Sequence, residues 1–100
     1  MAKITLPLQK NYDMPKIDKL IIRLLSYPKD FTYNELRTLL SSFGYSEMQG
    51  AGSRVCFAKA DHKIKLHKPH PGNILKSYQL DLVIKELTAR GLILNTKDDE

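Results

Sequence analysis

"SRVCFAKADHKIKLHK", residues 53–68, is the stretch that decides the architecture. Val55 and Phe57 stand two positions apart in its first half, and Ile64 and Leu66 stand two apart in its second. A period of two is the signature of a β-strand, whose successive side chains point to opposite faces. These four are the large apolar side chains of the two runs, so they must share one buried face. Ala60 and Asp61 then form the turn between antiparallel strands near 53–59 and 62–68. A turn centred there sets Arg54 across from His67 and Cys56 across from Lys65. The other face carries Arg54, Cys56 and Ala58 beside Lys63, Lys65 and His67. A structure with Val55 and Leu66 on opposite faces would rule this register out.

Upstream of the hairpin, "YSEMQ" (45–49) reads as a weaker strand. Before it, "FTYNELRTLLSSFGY" (31–45) holds the strongest helix signals. Thr32 and Glu35 have capping-box spacing, with Phe31 and Leu36 placed as the hydrophobic staple around them. Leu36, Leu39, Leu40 and Phe43 make an apolar stripe, and Gly44 suits the residue after the cap, so a helix is expected over 32–43. An additional N-terminal helix is expected over 13–27. Asp13 serves as its N-cap, Pro15 lies in its first turn, Ile17, Leu20, Ile21 and Leu24 form its stripe, and Pro28 stops it.

Downstream, "PHPGN" (69–73) is a turn, and Ser77 is placed to cap a last helix over 78–90. Leu80, Val83, Ile84 and Leu87 are its stripe, Asp81 suits its first turn, and Gly91 ends it. Residues 94–100 read as a polar tail. With no repeat, low-complexity run or linker, residues 1–100 form one domain. The order is α-α-β-β-β-α, an α+β fold with a small antiparallel sheet and its helices on one face.

Composition bounds the function. At 42% hydrophobic and 27% charged, the chain can bury a modest core. Its single cysteine, Cys56, forms no internal disulfide and suits a reducing compartment. "MAKITLPLQK" lacks the apolar stretch of a signal peptide, and no apolar run approaches the ~18 residues that span a bilayer. A cytoplasmic protein without membrane partners is the expectation. The net charge of +5 is concentrated in one place. Arg54, Lys59, Lys63, Lys65, Lys68 and Lys76 fall within 23 residues that hold one acid, Asp61, while the other 77 residues balance ten basic against ten acidic. A basic stretch of this kind is the footprint of RNA binding, although a lysine-rich strand guarded against edge pairing has the same composition.

Four motifs in order carry a family resemblance: "FGY" (43–45), "GSRVCF" (52–57), "HPG" (70–72) and "LKSYQLDLVIKEL" (75–87). From Phe31 to about Leu92 the chain resembles the HicA family of toxins from prokaryotic toxin–antitoxin pairs. The resemblance implies a double-stranded-RNA-binding-like fold and an interferase that cleaves mRNA without a metal or small-molecule cofactor. It also implies a HicB-like antitoxin as partner. Residues 1–30 lie outside the family pattern. The family's catalytic histidine follows Gly-Ser, and this chain has Arg54 there, a side chain that stays protonated and cannot act as a general base.

The face analysis offers other catalytic candidates. His67 is chemically suited to proton transfer, Arg54 across from it to clamping a phosphate, and His70, between Pro69 and Pro71, to a second proton transfer. The same two histidines can equally be polar residues at a strand end. Cys56, His62, His67 and His70 lack the C-x-x-C or H-x₃-H spacing of a metal site. A Ser53 nucleophile lacks a sequence-evident oxyanion loop or acid partner. Gly50, Gly52 and Gly72 read as turn residues, and Tyr27, Tyr33 and Tyr45 as packing at helix ends. An RNA-cleaving toxin, a non-catalytic RNA- or antitoxin-binding domain, and a module for an acidic protein partner are the three classes left.

Overall fold

The hairpin pairs as its alternation requires. In a computed structural model that describes residues 15–94, β2 (Arg54–Lys59) and β3 (His62–His67) are antiparallel, with Arg54 opposite His67, Val55 opposite Leu66 and Phe57 opposite Ile64. Ala60 takes the turn with a φ of 53°. β1 (Ser46–Gln49) adds to the other edge of β2, giving the strand order β1-β2-β3. Val55, Phe57, Ile64 and Leu66 are all buried, while Arg54, Lys63, Lys65 and His67 on the other face are exposed.

Helices α2 (Tyr33–Ser42) and α3 (Ser77–Ala89) pack against the sheet, and α1 (Lys16–Leu25) packs on those two helices. The α2 capping box forms as its spacing predicts. Thr32 Oγ1 accepts from the Glu35 amide at 3.1 Å, and the Glu35 carboxylate accepts from the Thr32 amide at 2.9 Å. Phe31 and Leu36 are fully buried around it. Leu36, Leu39 and Leu40 lie in the core, whereas Phe43, at the C-cap, is half-buried against it. Gly44 follows with a φ of 97°, the left-handed geometry that favours glycine. Leu80, Val83, Ile84 and Leu87 of α3 are all buried.

Some details of the helix ends differ from expectation. Pro15 is the N-cap of α1 and not part of its first turn: with a ψ of 151° it is extended, and only its carbonyl joins the helix, accepting from Lys19. Asp13 lies outside the described residues, as does the tail beyond the exposed Leu94. α1 stops at Leu25, three residues ahead of Pro28, because Tyr27 turns to a φ of 53°. Ser77 is the first helical residue of α3 and not its cap; Lys76 holds the cap position, and its amide donates to the Gln79 side chain at 3.0 Å. Asp81 therefore falls beyond the first turn, where it accepts from the Tyr27 hydroxyl at 2.7 Å and pairs with Lys85.

Helix α1 is part of the domain. Leu20 and Leu24 enter the core, and the helix packs on both α2 and α3. Its Arg23 grips Glu35 with two bonds, Nε to Oε2 at 3.0 Å and Nη2 to Oε1 at 2.9 Å, and reaches the Asp30 carboxylate and carbonyl with two more. Glu35 thus serves the α2 cap and the α1 clamp together. The segment after the His-Pro-Gly turn is stitched to the same place, since Tyr33 donates to the Asn73 carbonyl and Leu75 to that of Phe31.

Burial works against the Glu35 carboxylate, but the bonds from Arg23 and Thr32 outweigh it and hold the carboxyl below its usual value of 4.5. Glu35→Ala should cost about 1–2 kcal/mol in urea unfolding at neutral pH, by loss of the cap and of a forked charge pair. A depressed carboxyl contributes stability that is full above the ordinary glutamate range and is lost as pH falls through its lower folded value. The gap between parent and variant should therefore narrow on acidification below pH 4.5, and unfolding curves over that range check it.

Candidate functional site

The open face of the sheet is built from three cross-strand rungs. Ser46, Ala58 and Lys63 form the first, Met48, Cys56 and Lys65 the second, and Arg54 with His67 the third. Beside the last rung β1 has ended, and Gly50 takes its place, donating its amide to the Arg54 carbonyl at 2.9 Å. A Cβ at Gly50 would stand 3.2 Å from that of Arg54, so the missing side chain keeps the rim clear. The second and third rungs border a shallow cleft of about 530 Å³ lined by Met48, Gly50, Arg54, Cys56, Lys65 and His67 among others. None of the described residues lining it is acidic. Among the described residues, no carboxylate pairs with Arg54, Lys63 or Lys65. Their positive charge faces solvent uncompensated, with Met48, 49% exposed, as an apolar floor.

His67 is held from two sides. Its Nδ1 lies 3.1 Å from Ser53 Oγ, and its carbonyl accepts from Gln79 Nε2 at 2.8 Å. Gln79 is 4% exposed, and the oxygen of the same amide caps α3, so one side chain joins the end of β3 to the start of the helix. Ser53 is fixed in turn, because its carbonyl accepts from the Lys68 amide at 2.8 Å.

Arg54, Lys65 and His67 come together at the cleft, and Lys63 extends the same face. The other basic candidates do not join them. Lys59 has the parity of Val55 and Phe57, so it lies on the helix side, where its Nζ stands 5.7 Å from the centre of the Tyr45 ring. Lys68 and His70 follow β3 in the loop, His70 exposed, and Lys76 is at the N-cap of α3. None of these three lines the cleft.

His62 belongs to a different environment from His67. It is 8% exposed, and both ring nitrogens are bonded: Nδ1 to the Tyr45 hydroxyl at 2.6 Å and Nε2 to the Glu86 carboxylate at 2.7 Å. A carboxylate only accepts, so Nε2 carries a proton, and in the neutral ring Nδ1 accepts from Tyr45. Burial raises the Tyr45 phenol, the Arg90 charge opposing and the Glu86 charge assisting, which keeps the hydroxyl a donor. Parity was the available signal, since His62 shares the even numbering of Ile64 and Leu66. Gln79 had no comparable signal, because a glutamine three residues after a lysine is not a capping motif.

Tyr33 is treated alike on α2: burial, then its bond to Glu47, push its phenol far up, and Arg37 pairs with the same carboxylate at 3.1 Å. Among the described residues, no three His, Cys, Asp or Glu side chains converge as a metal site. None of the described helices is long and apolar enough to cross a membrane. Comparison with protein-family models, curated proteins and solved structures found no match to this chain.

If the open face holds a polyanion, affinity should fall steeply with salt through counterion release. Replacing Lys63 and Lys65 together by Ala should weaken RNA binding for every sequence and flatten the salt slope by about two units. Equal binding by parent and variant across a salt series would make the face a solvated surface only.

Proposed function

We propose that this chain is a HicA-like mRNA interferase that acts in the cytoplasm and is neutralised by a cognate HicB-like antitoxin. One observation carries the reading: Arg54 and His67 face each other on neighbouring strands, in a basic cleft whose described lining contains no acid. Support also comes from the ordered motifs between Phe43 and Leu87 and from the α-β-β-β-α order between Phe31 and Leu92 that contains them.

The chemistry suits these residues. The 2′-hydroxyl of one nucleotide attacks the adjacent phosphorus, and its proton passes to His67 as general base. Negative charge grows on the phosphorane oxygens, where the Arg54 fork and the Lys65 ammonium stabilise it. The bond from phosphorus to the 5′-oxygen of the next nucleotide breaks, and that oxygen takes a proton from the water that an open cleft admits. The products are a 2′,3′-cyclic phosphate and a 5′-hydroxyl, with the imidazolium returning its proton to solvent. No step calls for a metal or cofactor.

Arg54 at the family's histidine position favours a second reading, an RNA- or antitoxin-binding domain without cleavage. Single-turnover cleavage of RNA in chelator separates the two, with folding followed by circular dichroism. Cleavage by the parent is expected, and His67→Ala should lose about 10²- to 10⁴-fold in rate with RNA binding retained. His67→Gln should be nearly as damaged, and Arg54→Lys impaired, because a point charge replaces a fork. Full cleavage by folded His67→Ala would move the role elsewhere, first to His70. RNA bound but uncut by the parent would establish the second reading.

A further inference from the structure

Ser53 enters no step of the cleavage above, yet its hydroxyl is the side-chain group in contact with the His67 ring, 3.1 Å from Nδ1. Either group can donate in that bond, and the surroundings decide which one does. The remaining nitrogen, Nε2, belongs to a ring that lines a cleft with Arg54 and Lys65. Guanidinium and ammonium groups are donors only and positively charged. An N–H at Nε2 would oppose that field, whereas a lone pair there is favoured by it. With the lone pair on Nε2, the ring proton sits on Nδ1 and is donated to Ser53 Oγ.

We propose that Ser53 is a positioning residue for His67, its hydroxyl accepting the Nδ1 proton so that the basic nitrogen faces the cleft. This rests on the reading of His67 as general base. The hydroxyl takes the place that a carboxylate holds in many catalytic histidine pairs, and it does so without adding an acid to a site for a polyanion. The arrangement is prepared by the backbone. The Ser53 carbonyl is tied to Lys68, and the His67 carbonyl to the buried Gln79, so both partners are fixed before substrate arrives. Ser53 is itself exposed, and Ser53→Ala removes the acceptor without opening the core.

The tautomer is read directly from the ¹⁵N shifts of the His67 ring, with Ser53→Ala and Ser53→Thr as variants. The parent and Ser53→Thr should show the Nδ1–H form, and Ser53→Ala should shift toward the Nε2–H form that an unconstrained histidine side chain prefers. Single-turnover cleavage at saturating RNA should fall about two- to tenfold in Ser53→Ala, the worth of one neutral hydrogen bond, with RNA affinity unchanged and Ser53→Thr restoring the rate. An Nε2–H ring in the parent, or a tautomer indifferent to Ser53→Ala, would overturn the proposal. Complete loss of cleavage in Ser53→Ala would do so too, making the hydroxyl a nucleophile. Full cleavage by His67→Ala alongside the expected tautomers would instead overturn the role of His67 as base, so the two failures read differently.

Discussion

The two-residue turn at Ala60 and Asp61 is the constraint on which the open face depends. It brings Lys59 opposite His62, and from that pair each later rung is set in register up to Arg54 and His67. One residue more or less would move every side chain of one strand to the other face, since strand parity is two. Val55 and Phe57 would then point to solvent, or Ile64 and Leu66 would. The burial of four large apolar side chains thus enforces the opposition of Arg54 and His67, two polar residues with no part in the core. A functional geometry is held here by the hydrophobic effect acting on its neighbours.

The second organising fact is where the carboxylates went. On the helix side four of them are engaged in pairs: Glu35 with Arg23, Glu47 with Arg37 and the Tyr33 hydroxyl, Glu86 with His62, Asp81 with Lys85 and the Tyr27 hydroxyl. Asp61, the acid of the hairpin turn, leans to Arg90 at the end of α3. These pairs compensate one another locally and leave the open face with cations alone among its described residues. Arg54, Lys63 and Lys65 therefore act as a field on one surface, which is the form in which charge steers a polyanion. Met48 and Cys56 at the centre of that surface add a small apolar area on which charge complementarity is not required.

The fold was largely legible because its strongest signals are local. Capping-box spacing at Thr32 and Glu35 and the alternation of 53–68 each depend on residues a few positions apart, where propensity and packing agree. What escaped is long-range. Nothing in the spacing of α1 says that Arg23 would seize the capping glutamate of α2, because that pairing depends on how two helices cross. The cap of α3 was misassigned to Ser77, since a serine near a helix start is the ordinary signal, whereas Gln79 reaches back to the Lys76 amide and across to β3. At the site, alternation located Arg54, Lys63, Lys65 and His67 on one face. It also contained the answers for Lys59 and His62, which share the parity of the apolar positions. Counting basic residues along the chain hid what counting by parity would have separated.

The Tyr45–His62–Glu86 chain has a consequence for how this sequence can diverge. Its members come from the approach to β1, from the start of β3 and from α3, so no local element inherits them together. Loss of one leaves buried polar atoms facing nothing, a cost of about 1–3 kcal/mol, while exchange of the whole set for apolar groups of similar shape is close to neutral. The two end states are accessible and the steps between them are not. Distant relatives of this protein should therefore carry the trio intact or lack it altogether. Three positions far apart in the sequence would then drift as one inherited unit.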